Sequence, residues 1–346
     1  MKYYEKDQVK AVPVQEAVGK VLLHDITQIL PDLFKGPRFK KGHIITQADV
    51  EALLDLGKQH IYVAGLNGEI HENEAALRIA RAALGNGISL SDPKEGKVSF
   101  KAMAQGLLKI NVKGLEQLNS VPDVIFASLH TGQMVTRGQE LAGTRVIPLT
   151  IDENRVIEAE DICGRYFPLI DIRPFAKVDV GLIVTGSEVY HGRIKDGFGP
   201  VVQKKFEDLG SRILKKTIVS DDLTMTVAAI KTMLDEGAGM IALTGGMSVD
   251  PDDLTPAAIR AAGGQIISYG APVLPGAMFM LAYIHEIPVI GLPGCVMYHR
   301  ASIFDLVVPR LLAGESVTKA DIIGMGHGGF CSSCGTCRFP SCSFGK

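Results

Sequence analysis

The chain has 346 residues, 46% of them hydrophobic and 6% aromatic, which is enough to bury the cores of two or three domains. Its 36 Lys and Arg against 38 Asp and Glu leave a formal charge of −2, so no global field recruits nucleic acid or an anionic membrane. The start, Met1-Lys2-Tyr3-Tyr4-Glu5-Lys6-Asp7, lacks an apolar leader core, and the most apolar later stretch, Val273 to Leu292, is broken by Pro275, His285, Glu286 and Pro288. A cytoplasmic protein is expected, with no nucleic acid and no membrane among its partners.

In chain order, residues 1–90 read as an α+β region. Short apolar runs between Val12 and Val63 flank a Gly/Pro-rich middle at Leu30 to Pro37, and helices are predicted near Ala48 to Leu56 and over Glu72 to Leu84. Residues 91–175 read as a small β-barrel or sandwich, because Val98 to Glu160 alternates with turn signals at Gly106, Gly114, Gly132, Gly138 and Gly143. Arg173-Pro174 marks a boundary. No internal repeat is evident.

Residues 176–318 carry the alternation of buried strands and amphipathic helices that defines an α/β domain with a mostly parallel sheet. Val178 to Val184 predicts a strand, and Thr185-Gly186-Ser187-Glu188 follows it. Gly199-Pro200 opens a helix with Val202, Phe206 and Leu209 on one face, and Ile213 to Val219 is the next strand. Asp221-Asp222 precedes a helix whose stripe is Leu223, Val227, Ile230 and Leu234. The apolar run Met240 to Leu243 then delivers Thr244-Gly245-Gly246-Met247-Ser248-Val249-Asp250-Pro251-Asp252-Asp253. Further predicted elements are a helix from Thr255-Pro256 to Ala262, strands at Gln265 to Ser268 and Pro288 to Leu292, and a last helix striped by Ile303, Leu306, Val307 and Leu311 and kinked at Pro309.

The Gly245 loop joins chemistry suited to a phosphate and a metal. Glycines let backbone N–H groups approach an anion, Ser248 adds a donor, and the aspartates offer the hard oxygen ligands that Mg²⁺ prefers. The same residues also suit a plain strand-to-helix turn capped by Asp. What favours a site is convergence. In an open α/β sheet ligands bind beyond the carboxyl ends of the strands, where Glu188, Asp221, Asp222, Ser248 and Asp253 all fall.

Residues 319–346 form a Cys-rich tail. Four of the six cysteines, Cys331, Cys334, Cys337 and Cys342, stand as C-x₂-C-x₂-C-x₄-C, a spacing suited to an Fe–S cluster or Zn²⁺. His327 is a competing ligand. Gly324 to Gly329 fits G-x-G-x-x-G formally but opens no helix, so a flexible hinge is expected there. Cys163 and Cys295 read as small buried residues, and His24, His43 and His130 as structural.

With these residues in view, Val178 to Gly314 resembles the molybdopterin-binding domain shared by molybdopterin adenylyltransferases and molybdopterin molybdotransferases. The resemblance rests on Thr185-Gly186-Ser187-Glu188, on Gly245-Gly246-Met247-Ser248-Val249 with Asp253 and Thr255, on Leu274-Pro275-Gly276, and on Gly291-Leu292-Pro293-Gly294. Ala17 to Ile26, reading Ala-Val-Gly-Lys-Val-Leu-Leu-His-Asp-Ile, is similar to an N-terminal stretch of the molybdotransferases. The resemblance implies a three-layer α/β/α domain that binds molybdopterin or adenylylated molybdopterin, and a reaction in which molybdate replaces the adenylyl group.

On that reading Thr185, Gly186, Ser187, Gly245, Gly246, Ser248, Pro275, Gly276, Pro293 and Gly294 hold the pterin. Glu188 and Asp253 bind Mg²⁺, and Asp221 or Asp222 ligates or orients a nucleophile. It also implies a homodimer or other homo-oligomer and partners among apo-molybdoenzymes or other cofactor-biosynthesis proteins. Several positions depart from the family pattern. Lys-Pro-Gly-Lys becomes Leu274-Pro275-Gly276-Ala277, Cys295 replaces an Asn, Asp250 replaces a Gly, and the acidic Asp-Gly-Tyr/Phe-Ala motif has no counterpart. A non-catalytic molybdopterin carrier is therefore the alternative. A CinA-like nucleotide pyrophosphatase is another, although Ser248-Val249 departs from that family's Gly-Gly-Leu-Gly-Pro-Thr loop.

Overall fold

The structure, a computed structural model, describes residues 11–30, 34–63, 69–147, 149–248 and 253–346. The chain forms two compact units. The first comprises residues 1–102, 110–129 and 139–171, and the second residues 103–109, 130–138 and 172–346.

In the first unit Ala11–Pro13 pairs antiparallel with His60–Tyr62, and Val14, Leu22, Ile26, Ile45 and Leu53 fill a small core between them and the helix Asp49–Asp55. Ile88–Leu90, Lys97–Ala102, Glu140–Val146 and Val124–Ser128 form a four-stranded antiparallel sheet in that order. The helix Glu72–Ala83 lies against helix Glu153–Arg165, with Arg78 bridging Glu160 and Glu153 at 2.7 and 2.8 Å.

Strands are thus present between Val98 and Glu160, but they are divided among separate sheets: besides the four-stranded one, Gly106–Ile110 lies between Met134–Val135 and Ile170–Pro174, and Thr150–Asp152 pairs with Glu69–His71. Val112–Leu118 and Glu153–Arg165 are helical where the turn signals suggested strands. The reason lies in local capping. Asn111 and Asp152 accept hydrogen bonds from the amides of Gly114 and Asn154 and so start helices that glycine spacing alone conceals.

The second unit is built on a six-stranded sheet. Its strands are β1 (Asp179–Thr185), β2 (Arg212–Val219), β3 (Met240–Thr244), β4 (Gln265–Tyr269), β5 (Met280–Ile284) and β6 (Ile287–Leu292), arranged in the order β2-β1-β3-β6-β5-β4. The first four in space run parallel, and β5 and β4 are antiparallel. β5 is hidden in the sequence because its apolar run continues into β6 across the short turn at His285-Glu286.

Side-chain alternation along the strands divides two cores. Val180, Leu182, Val184, Met240, Ala242, Ile290 and Leu292 face one side, where α2 (Gly199–Asp208) and α6 (Ile303–Leu312) supply Val202, Phe206, Phe304 and Val307. Ile183, Ile241, Leu243, Met280 and Val289 face the other, under α3 (Leu223–Asp235) and α4 (Thr255–Ala261). This is a three-layer α/β/α domain with a mostly parallel sheet, as expected. α1 (Ser187–Tyr190) and α5 (Cys295–Tyr298) are single turns at the strand ends, and α7 (Lys319–Gly324) follows α6.

α6 runs to Leu312 with Pro309 inside it, buried in the core. Two details differ from the sequence expectation. The buried stripe of α3 is Thr226, Ala229, Ile230 and Met233, while Leu223 is exposed, because Asp222 caps the helix and sets its rotation. The tail is not a separate unit: Phe344 and Ile322 are buried in the core of the α/β domain, with Phe339 packed against it.

Nor is Gly324 to Gly329 a loose hinge. The amide of Leu274 donates to the Gly329 carbonyl at 2.8 Å and that of Cys331 to the Leu274 carbonyl at 2.8 Å, so an isolated bridge between Leu274 and Phe330 ties down the end of the segment. Among the described residues no helix is long and apolar enough to cross a membrane.

Candidate functional site

Parallel pairing in register brings four strand ends to one edge. Thr185 lies opposite Val219, Val184 opposite Thr244, and Thr244 opposite Leu292, so the turns after β1, β2, β3 and β6 all leave on the same side. Two groups of candidate residues result.

The first group lines a cavity of about 530 Å³, a volume in the range of small-molecule and cofactor sites. Gly245, Gly246, Ser248, Asp253, Pro275, Gly276, Pro293 and Gly294 all contribute to its wall, beside Leu274, Ala277 and Cys295. Met247 of the predicted loop also lines it, as do Phe198 and Met278, which were not singled out from sequence; the signal for Phe198 was its place just before the Gly199-Pro200 helix start. Val249, Asp250, Pro251 and Asp252, which belong to the predicted loop, lie outside the described residues.

Backbone geometry explains the loop's glycines. Gly245 has φ of +84°, and a Cβ there would stand 2.2 Å from the Thr185 carbonyl oxygen, so only glycine lets β1 and β3 end side by side. The threonines complete the lock. Thr185 Oγ1 donates to the Thr244 carbonyl at 3.1 Å, Thr255 Oγ1 to the Gly245 carbonyl at 2.9 Å, and the Thr255 amide to the Gly246 carbonyl at 3.2 Å. Across the cavity Gly276 has φ of +143°, and a Cβ would meet Ile303 Cβ at 2.4 Å, so this wall sits directly on the start of α6. Tyr269, unremarked in the sequence, reaches the Met247 and Ser248 carbonyls with its hydroxyl at 3.4 and 3.3 Å.

The electrostatics of the wall are unusual for an anion site. None of the described lining residues is Lys, Arg or His, and Asp253 is the acid among them. Any phosphate held there relies on backbone N–H groups and Ser248. Burial pushes the Cys295 thiol up, so it stays neutral near pH 7, and burial with the nearby Glu160 charge pushes Cys163 up to about 11. Both behave as small apolar residues.

The second group, Thr185, Gly186, Ser187, Glu188, Asp221 and Asp222, does not line that cavity. It forms an interlocked pair of turns instead. The Ser187 amide donates to Asp221 Oδ2 at 2.7 Å, the Ser187 and Ser220 hydroxyls lie 2.8 Å apart, and Asp222 Oδ1 accepts from the Met225 amide at 2.7 Å as the cap of α3. The Ser187 amide is therefore already occupied by a carboxylate. Glu188 is exposed on α1.

Among the described residues no group of three or more His, Cys, Asp or Glu stands in an arrangement that holds a metal. In the tail Cys334 is exposed, while Cys331, Cys337 and Cys342 are partly buried against the apolar core. His43 has a structural contact: its Nε2 lies 2.8 Å from Asp49 Oδ2, at the start of the helix Asp49–Asp55.

The fold and pocket define a class: a three-layer α/β domain with a ligand cavity at the carboxyl edge of its parallel strands. Residues 181–313 match the family described as probable molybdopterin binding domain. Residues 11–65 match a second family, described as a domain of unknown function (DUF8806).

Among curated relatives, molybdopterin molybdenumtransferase of Synechococcus elongatus is 28% identical over 158 residues, which is 43% of this chain and 39% of that protein. A CinA-like protein of Frankia casuarinae is 35% identical over 83 residues, 24% of this chain and 19% of its own length. The chain thus spans 19 to 39% of these two relatives. Among solved structures, the molybdopterin biosynthesis enzyme MoaB of Thermus thermophilus aligns at 17% identity and a TM-score of 0.33, covering 40% of this chain and 98% of that one.

Proposed function

We propose that the chain acts in molybdenum-cofactor biosynthesis by holding molybdopterin, or its adenylylated form, in the cavity at the strand edge. The observation that carries this reading is coincidence of place: the segment matched to the molybdopterin-binding family contains every described residue of the cavity wall, including the Gly245-Gly246 turn and both Pro-Gly turns. The Gly245 and Gly246 backbone and Ser248 supply donors to a phosphate, and Pro275-Gly276 and Pro293-Gly294 shape the opposite wall. Asp221 and Asp222 act by fixing the neighbouring turns.

Catalysis is the finer element of the proposal. Among the described residues no three acids gather into a metal-holding group; Asp253 and Glu188 are the carboxylates through which a divalent ion would offset charge on a bound pyrophosphate. Molybdate insertion would release AMP. A carrier that binds molybdopterin and delivers it to an apo-molybdoenzyme is the second reading, favoured by a pocket wall without a basic side chain. A homodimer is the expected assembly, tested by light scattering.

Incubating the full chain with adenylylated molybdopterin, molybdate and Mg²⁺ separates these readings. AMP release with cofactor formation supports the transferase, and tight binding without AMP supports the carrier. No binding contradicts both, and AMP from ADP-ribose alone favours a CinA-like pyrophosphatase. An Fe–S cluster or Zn²⁺ on Cys331, Cys334, Cys337 and Cys342 requires these thiols to gather into a metal-holding group, which the described residues do not form. Elemental analysis finding neither iron nor zinc removes that proposal.

A further inference from the structure

Among the described residues that line the strand-edge cavity, Phe198 is the one aromatic. Ser248 and Asp253 carry the polar side chains of that wall and Cys295 adds a neutral thiol; the remainder is apolar side chain, glycine and proline. Phe198 packs against the core under α2 yet is only partly buried, so some of its surface stays open at the cavity. A phenyl ring gains most from full burial, and one held partly open in a cavity wall has contact area left for a ligand.

Asp196 fixes the backbone of this residue. Its Oδ1 accepts from the Phe198 amide at 3.0 Å and from the Gly199 amide at 2.7 Å, while its Oδ2 meets Lys216 Nζ of β2 at 3.0 Å. The Asp196 side chain is 7% exposed, and a Cβ on Gly199 would collide with the carboxylate. From the other side the Val201 and Val202 amides donate to the Phe198 carbonyl at 3.1 Å each. A charge tied to the sheet and the first turn of α2 thus set Phe198 in place before any ligand arrives. Phenyl rings take flat conjugated rings in offset or edge contacts, and the thioether of Met278 adds a soft surface to the same wall.

We propose that Phe198 is the residue that recognises the ring of the ligand, packing against the planar pyrimidinone of the pterin, and that Asp196 is the positioning residue that holds it there. The proposal rests on the pterin reading of this cavity and divides the ligand between two chemistries. Backbone donors at Gly245 and Gly246, with Ser248, take the anionic end, and apolar contact at Phe198 takes the ring. A pocket without a basic side chain gains its affinity for the ring from such contact.

The test titrates the full chain with molybdopterin under anaerobic conditions, by calorimetry and by the near-ultraviolet absorption band of the pterin. The wild type is expected to bind and to shift the band, because the ring leaves water for an aromatic neighbour. Phe198→Leu, which keeps apolar packing, is expected to bind roughly tenfold more weakly and to lose the shift, and Phe198→Tyr to restore both. Asp196→Ala is expected to weaken binding in the wild-type background, to add nothing in Phe198→Leu, and to be rescued by Asp196→Asn, which keeps an acceptor at Oδ1. Binding by the wild type without a band shift, equal affinity in a folded Phe198→Leu variant, or an Asp196→Ala loss that is undiminished in Phe198→Leu would overturn the proposal and leave the pterin site standing. No binding by the wild type would overturn the pterin reading, and the proposal with it.

Discussion

Gly245 shows how one residue fixes the pocket. Its positive φ and the 2.2 Å approach a Cβ would make to the Thr185 carbonyl mean that Gly245→Ala has to push the ends of β1 and β3 away from each other. Strain and overpacking together predict a loss of roughly 3 kcal/mol, read as a lowered urea midpoint, along with loss of pterin affinity. A variant as stable as the wild type would contradict the geometry. Asp222→Ala tests the reading of that acid as a cap: about 1 kcal/mol of stability should be lost, with faster amide exchange at Met225. Unchanged exchange would leave Asp222 free for chemistry.

Residues also show what sequence can and cannot disclose about a site. Gly245 and Gly276 were legible because turns at the ligand edge need their positive φ, and Pro293 and Gly294 because a Pro-Gly pair marks a turn after an apolar run. The division of the acids was not, since Asp221 and Asp222 sit at strand ends as catalytic residues do, and only hydrogen bonds to Ser187 and Met225 reveal their occupation. Phe198 belonged to no motif. Its interest comes from a place in the cavity wall that only packing reveals.

At the scale of elements, α2 and α6 meet through Phe206 and Phe304, whose rings lie 5.1 Å apart beneath the sheet. Both are fully buried, so Phe206→Ala predicts a loss of about 3–5 kcal/mol, checked by thermal or chemical unfolding. A change below about 1 kcal/mol would mean that the helix is not anchored there. The joint between α6 and α7 has an electrostatic counterpart. Burial pushes the Asp321 carboxyl up, but hydrogen bonds from Arg310 and Thr318 outweigh it and hold the group at about 2, below its ordinary 3.8.

A carboxyl depressed in the fold stabilises above its unfolded value, and that contribution is lost as pH falls through the folded one. The window is therefore about pH 4 to 2. After allowance for solvent screening, roughly 1 kcal/mol is expected to disappear there in the wild type and not in Asp321→Asn, measured as unfolding midpoints against pH. Parallel acid profiles would contradict it. Elements of the α/β domain were readable because buried parallel strands and capped helices alternate in sequence. β5 and the helices at Val112–Leu118 and Glu153–Arg165 were not, because an apolar run spanned two strands and because caps, not apolar spacing, began the helices.

For the whole molecule, the α/β domain supplies a pocket whose wall contains eight of the residues proposed from sequence for the pterin and its metal, yet offers a ligand no basic side chain. Binding by backbone donors and shape follows from that wall, and affinity should depend little on salt, since no Lys or Arg pairing is screened. A steep fall in affinity between low and high ionic strength would contradict it. The region before the domain, by contrast, gives no functional signal in its composition, and its match is to a domain of unknown function.

The most direct measurement is anaerobic titration of the full chain with molybdopterin, followed by pterin fluorescence, in the wild type and in Gly245→Ala. Saturable binding at one site per chain is expected in the wild type, with a loss of at least tenfold in the variant. No saturable binding by the wild type, or equal affinity in a variant whose strand ends have been forced apart, would contradict a pterin site at this edge.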